Sequence, residues 1–497
     1  MRPFTDPPLG VKIAKMKERV RWQHPWLQEQ DIDQTRLVVV DDRPWARSAP
    51  GDFPAFSFLV IGDTGWGPQE DFHPQRHIAQ QLVPHLEDCR FILHTGDVVY
   101  TLGSKEYYPQ NFIYPYRECL VGGDRPETIP YDRMVFRVPF FPSLGNHDYY
   151  QMSRPVGALV QGCYWLLRQS GLSVRQNIGW HGSDQGDAYA RAFLDYLQNQ
   201  PNLAALQAHI QQHYTSPTDT GSCLTYRPGI FTRVPNRYYT FDMGGVDFFA
   251  LDSTTLTEWD EEQPDRLPDP EQRQWLRDRL IQSWRNPQRR GRILFFHHPP
   301  YVTESTKWRR SETYIVRDCL RWVLDGVAQA LGREPGTPGD PPIVDVILTG
   351  HAHCLEYLQT GATGHADAHL HWWVCGGSGC SIRRQRSEGS YLPDRPPSRS
   401  SPIAQALGES DSPSPQPWVA KSQLFIGKTG KGVTLQQPYS FLRIDVGSGS
   451  GRSGLELRVR PFVSQWQAGH WRDQEWDAVT LPQGTPSQEA EVRVSAG

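Results

Sequence analysis

From residue 56 onward, short apolar runs alternate with helix-length amphipathic segments. Strands are predicted at 58–61, 91–94 and 141–144, with an amphipathic helix at 77–86 between the first two. The stretches 238–242 and 246–251 flank Gly244-Gly245 and read as a hairpin. A helix at 271–284 precedes a strand at 293–296, a helix at 314–331 precedes a strand at 344–348, and strands return at 439–446 and 455–459. Strands alternating with helices predict an α/β layered fold.

Four segments depart from that rhythm. Residues 1–52 are polar and proline-punctuated, an expected extension packed on the outside of a domain spanning 53–462. Residues 153–235 are mainly polar and helical, an expected inserted subdomain. Residues 387–435, with "PDRPPSRSSP" and "SDSPSPQP", predict a long loop, and 463–497 a loose tail.

Composition narrows the classes. The chain has 497 residues, enough for one large domain with insertions or for two to three smaller ones. With 38% hydrophobic and 21% charged residues it is a folded, soluble type. A net charge of -4 creates no global field toward nucleic acid or an anionic membrane, so neither partner is expected. The N-terminal stretch has no apolar h-region, and no run approaches the roughly 20 apolar residues of a membrane span. Eight scattered cysteines without a CxxC pair exclude a zinc knuckle and suggest free thiols, so a cytoplasmic setting is expected. Arginine clusters at 289–292 and 383–386 read first as solvated surface, although Arg383 or Arg384 could reach a ligand.

The chemistry stands at the ends of the predicted strands. "LVIGDTGWG" ends a core-type run at Asp63, and a carboxylate there is costly unless something receives it. "HTGDVVY" brings Asp97 and Tyr100, and "SLGNHDYY" brings Asn146, His147 and Asp148. "ILFFHHPPY" brings His297 and His298, and "ILTGHAH" brings His351 and His353. Ligands of open α/β sheets bind at the carboxyl ends of strands, and the glycines beside four of these groups permit tight turns. Carboxylate, amide, phenol and imidazole together suit hard-to-borderline ions such as Fe, Mn or Zn. They are too many for one ion, and two ions sharing a carboxylate would use them all.

This ordered set resembles the calcineurin-like metallophosphoesterase superfamily, and its variants resemble the purple acid phosphatase branch. Most superfamily members carry His two residues after the first Asp, and Asp or Asn three residues after the second. Here those places hold Gly65 and Tyr100. In that branch a tyrosine binds a ferric ion in place of the missing histidine, and Gly65 is read as leaving room for Tyr100. "GDVVYTLG", "NRYYTFDMGGVDFFALDST" and "GHAHCLEYL" agree with the resemblance, which covers roughly 55–150, 236–380 and 438–460.

The resemblance implies a four-layer α/β/β/α sandwich of two mixed sheets flanked by helices. It implies that Asp63, Tyr100 and His353 hold a ferric ion, that Asn146, His297 and His351 hold a divalent Fe, Zn or Mn, and that Asp97 bridges. His147 would face the substrate phosphate, Asp148 would orient His147 or a ligand, and His298 would be packed. The implied reaction is hydrolysis of a small phosphomonoester by in-line attack of a metal-bound hydroxide. Phosphodiester or nucleotide hydrolysis would use the same centre. A non-catalytic scaffold would be marked by a lost ligand, and none is lost.

Overall fold

In the computed structural model, residues 7–43, 53–65, 67–68, 72–100, 102–150, 185–259, 267–337, 339–395, 418–449 and 454–481 are described. The strands of the first half are β1 (Ile32–Val39), β2 (Phe56–Ile61), β3 (Cys89–His94), β4 (Phe140–Pro142), β5 (Ser216–Pro217), β6 (Ser222–Tyr226), β7 (Tyr239–Met243) and β8 (Val246–Ala250). Those of the second half are β9 (Gly291–Phe295), β10 (Val346–Thr349), β11 (Leu355–Thr360), β12 (His371–Cys375), β13 (Tyr391–Pro393), β14 (Trp418–Ile426), β15 (Pro438–Ser448), β16 (Leu455–Gln467), β17 (His470–Glu475) and β18 (Val479–Leu481).

They form two mixed sheets. One has eleven strands in the order β13-β14-β11-β12-β10-β9-β8-β7-β1-β6-β5, and the other has seven, running β17-β16-β15-β2-β3-β4 with β18 beside β16. Period-two alternation sends neighbouring side chains to opposite faces. Phe248 and Trp373 join the core between the sheets, while Phe249 and Trp372 join a second core. The inner core is an aromatic stack. Phe58 lies 4.9 Å from Phe91, Phe91 5.1 Å from Phe248, and Phe141 4.1 Å from Phe241. In the second core, Leu276 and Leu280 of helix Pro270–Arg285 and Leu320 and Val323 of helix Ser311–Ala330 cover the larger sheet. Helix Pro74–Leu82 packs Ile78 and Leu82 against the smaller sheet's other face. Two sheets flanked by helices are therefore observed. Among the described residues, no helix is long and apolar enough to cross a membrane.

The ends of the chain differ from the sequence expectation. The N-terminal segment is no outer extension. β1 lies inside the larger sheet, parallel to both β6 and β7, and Met16, Val20, Leu27 and Leu37 are buried in the inner core. The expected loose tail contains β17 and β18, both paired with β16. The insertion's described part has helices Asp187–Phe193 and Leu203–His213 but also β5 and β6, while 151–184 lie outside the described residues. Within the expected Ser/Pro loop, β14 pairs with β11 and β13, and 396–417 lie outside the described residues.

Strands β2, β3 and β4 run parallel, as do β8, β9, β10 and β12. Their carboxyl ends carry all the polar groups singled out above.

Candidate metal centre

Asp63, Asp97 and His351 share a left-handed backbone, with φ of 53°, 54° and 67°. Non-glycine residues rarely adopt it, and such strain concentrates at functional sites. Here the turns aim the side chains across the strand ends. Asp63 Oδ1 accepts from Tyr100 Oη at 2.7 Å, and Asp63 Oδ2 accepts from the His351 amide at 2.8 Å. Asp97 Oδ2 accepts from Tyr100 Oη at 2.5 Å and stands 3.2 Å from His297 Nε2, while Asp97 Oδ1 accepts from the His147 amide at 2.8 Å. Asp97 therefore touches both halves of the constellation.

The histidines are oriented by their outer nitrogens. His297 Nδ1 lies 2.9 Å from the Thr95 carbonyl and His353 Nδ1 2.9 Å from the Ser381 carbonyl. A carbonyl only accepts, so both rings carry the proton on Nδ1 and turn Nε2 inward. His353 Nε2 stands 3.2 Å from Tyr100 Oη and 3.4 Å from Asp63 Oδ1. His351 is turned the other way, with Nδ1 3.1 Å from His297 Nε2 and Nε2 2.8 Å from Glu312 Oε1. Lys307 Nζ also lies 2.6 Å from that Nε2. The ring nitrogen can serve only one of them at a time.

The electrostatics call for a cation. Although burial opposes it, the Asp97 and Asp63 carboxylates raise His297 to about 9, so without an ion a proton fills that role. Burial and the same two carboxylates push the Tyr100 phenol well above its ordinary range, and an ion there reverses that bias. The clearest sign is Asn146, whose Oδ1 is buried and has no hydrogen-bond partner among the described residues, while its Nδ2 donates to Tyr150 Oη at 3.3 Å. An orphaned amide oxygen is expensive unless something else receives it. Among the described residues, two donor groups lie within one ion's reach, namely Asp63, Asp97 and His297, and His297, His298 and His351. The residues present fit a metal centre.

Two glycines make the approach possible. A side chain at Gly65 would meet the Val98 carbonyl at 2.1 Å, and one at Gly145 would meet Asp97 Oδ1 at 2.1 Å. Gly65 therefore makes room for the backbone that carries Tyr100, not for the ring itself.

Not every predicted residue enters the site. His147 lines an open cavity of about 220 Å³ above Asp97, Tyr100, His351 and His353, with its ring centroid 4.4 Å from that of Tyr100. Asp148, expected beside it, is fully buried behind the loops. Its carboxylate accepts from the Val98 and Gly145 amides at 2.9 and 3.0 Å, so it positions the loops that carry Asp97 and Asn146. Burial and the nearby Asp97 charge raise it to about 8. His298 is packed, with Nδ1 2.9 Å from Ser253 Oγ, the hydroxyl that also accepts from the His297 and His298 amides. Trp66 lies outside the described residues.

Three supporting groups escaped the sequence reading. His94 Nδ1 accepts from the Gly96 amide at 3.1 Å, which leaves Nε2–H to donate to Thr64 Oγ1 at 2.8 Å. Burial holds that imidazole down at about 3, so it is neutral and ties two ligand loops together. Lys307 and Glu312 reach His351 from a separate segment. Glu312→Ala is expected to weaken metal affinity at His351 by about 10- to 100-fold, because an unsupported ring loses both orientation and basicity. Zinc titration against a competing chelator measures this, and an unchanged affinity would remove Glu312 from the support.

A family profile for calcineurin-like phosphoesterases matches residues 56–355, which hold every donor named above. The chain is 30% identical over 110 residues to tartrate-resistant acid phosphatase type 5 of Oryctolagus cuniculus, covering 21% of this chain and 30% of that protein. It is 27% identical over 119 residues to the Homo sapiens protein of the same name, covering 23% and 34%. The chain thus spans about a third of the length of these curated relatives. A purple acid phosphatase, PPD1, isolated from yellow lupin (Lupinus luteus) seeds, is similar in structure at a TM-score of 0.40 and 13% identity, over 86% of this chain and 53% of that one. With donors at five strand ends inside the matched region, the chain belongs to the calcineurin-like phosphoesterase family.

Proposed function

We propose that the chain hydrolyses phosphomonoesters at a two-metal centre. Asp63, Tyr100 and His353 would hold one ion and Asn146, His297 and His351 the other, with Asp97 shared. The observation that carries this reading is the buried Asn146 Oδ1, without a hydrogen-bond partner among the described residues, together with the Asp97 carboxylate between Tyr100 and His297. A phenol among carboxylates and imidazole suits a ferric ion, and the amide with two imidazoles suits divalent Fe, Zn or Mn. Bound there, the ions would supply Lewis acidity and an activated water.

The protein's own groups supply the rest. The cavity opens on one side of the ligands, so the phosphoryl group enters from the His147 face. An imidazole on that wall can give a ring proton to the departing ester oxygen. The strained turns at Asp63, Asp97 and His351 hold the donors converged in advance, which places the cost of organisation in folding and not in the reaction.

The test is the visible spectrum, metal content and p-nitrophenyl phosphate hydrolysis of protein produced with iron. About two ions per chain, turnover, and a tyrosinate charge-transfer band that disappears in Tyr100→Phe are expected. A chain carrying both ions that hydrolyses no phosphoester would overturn the reading. Two ions with turnover but no band would replace the ferric assignment by another metal pair.

A further inference from the structure

The cavity wall facing the donors is cationic, and among its three cations Lys307 is the one that also meets a donor, at His351. It is built from two segments locked together. The Ser305 amide donates to the Arg384 carbonyl at 2.9 Å, the Arg386 amide donates to the Thr303 carbonyl at 2.8 Å, and Glu304 and Gln385 form an antiparallel bridge. Buried Glu356 anchors the first segment by accepting from the Thr303 amide at 3.0 Å. Trp308 is buried with the Arg309 and Arg386 guanidiniums 4.1 and 4.3 Å from its ring. The wall is therefore a fixed surface.

Its charges are sorted. Arg309 turns to Trp308 and to Glu388 at 3.0 Å, Arg384 turns to the Gly430 carbonyl, and Arg386 to the Gly389 carbonyl. Lys307, Arg310 and Arg383 line the cavity. Glu304, the acid on the same wall, is consumed inside its own loop, accepting from the Thr306 amide at 2.9 Å, Thr306 Oγ1 at 2.8 Å and Ser305 Oγ at 3.1 Å. Arg310 and Arg383 are exposed, and neither pairs with a carboxylate among the described residues. Arg310 donates only to the Thr306 carbonyl, at 3.2 Å. Lys307 stands 2.6 Å from His351 Nε2 and 3.5 Å from Glu312 Oε1.

We propose that this wall recognises a second phosphate, so that the substrate is a bisphosphorylated small molecule. The inference rests on the phosphoester reading above. The metal donors account for the scissile phosphoryl group, and Arg310 and Arg383 are surplus to it. Guanidiniums match phosphate oxygens in bidentate geometry, which a single exposed lysine cannot do. The cavity of about 220 Å³ runs from the donors to Lys307, Arg310 and Arg383, so a group bound at the donors faces these cations. Water adds to the phosphorus nearest the donors, the ester P–O bond breaks, and the water's proton ends on the departing alkoxide. The second phosphate stays on the product.

The test uses the metal-loaded full chain with glucose 6-phosphate and glucose 1,6-bisphosphate. The bisphosphate should have the higher kcat/KM by about tenfold or more, expressed in KM. In Arg310→Ala/Arg383→Ala the ratio should fall toward one, and added salt should narrow it in the parent. Equal efficiencies in the parent, or a preference that survives the double substitution, would overturn the proposal. If no phosphoester is turned over, the catalytic reading is what fails. The wall is then judged by calorimetric binding of methylenediphosphonate, which should weaken about tenfold in the double variant. Equal binding would refute it.

Discussion

Asp97→Asn is expected to leave at most one tightly held metal ion per chain and to lower phosphoester hydrolysis at least about a thousandfold. The Asp97 carboxylate meets both halves of the centre. Asp97 accepts from Tyr100 on one side and faces His297 on the other, and its second oxygen fixes the His147 backbone. Asparagine keeps the shape and tolerates the left-handed φ of 54°, so the fold should survive and the loss can be assigned to charge. Metal analysis, initial rates and a thermal melt on the same sample measure this. Two ions retained, with activity within tenfold of the parent, would remove Asp97 from the shared position.

Arg237→Ala is expected to cost about 3–5 kcal/mol of stability, the range for removing one partner of a buried ion cluster. The Arg237 side chain is 1% exposed and reaches Asp252 at 3.1 Å and Asp269 at 2.7 Å. Tyr149 donates to the same Asp252 at 2.5 Å. Removing the guanidinium leaves two buried carboxylates facing each other. Among the described residues one oxygen of Asp252 and one nitrogen of Arg237 already lack partners, so the cluster is no economical source of stability. Its evident product is placement, since Tyr149 follows Asn146 and His147 on one short helix and is tied through Asp252 to helix Pro270–Arg285. Urea unfolding checks the magnitude, and adding Asp252→Asn should restore part of it. A loss below about 1 kcal/mol would place the cluster among pairs that solvent screens.

The donors were legible because their chemistry has no bland use in that pattern. Asp, Tyr, Asn and His recurring where apolar runs stop, beside glycines, makes little sense as surface or as core. Lys307 and Arg310 were not legible, because "KWRR" in a loop reads as a solvated charge run. Only the packing of Trp308 between Arg309 and Arg386 decides which cations face inward. The partners of Asp148 were hidden for a related reason. "NHD" suggests side-chain partners, whereas the carboxylate spends itself on the Val98 and Gly145 amides, and a sequence does not display amides. The hairpin at 239–250 and both long helices followed from local pattern, with bounds close to those expected. β1 and β17 did not. "IDQTRLVV" and "HWRDQE" carry mixed polarity, and each becomes a strand through its neighbours and not through its own preference.

The place of β1 has a consequence in time. Its eight residues sit between β7 and β6, and those partners begin at Tyr239 and Ser222, nearly two hundred positions later. At ribosomal speeds of about 5–20 residues per second, that interval is on the order of ten seconds or more. For that long, the first strand of the larger sheet has no partner in existence. β1 must wait, unpaired, until β6 and β7 are made.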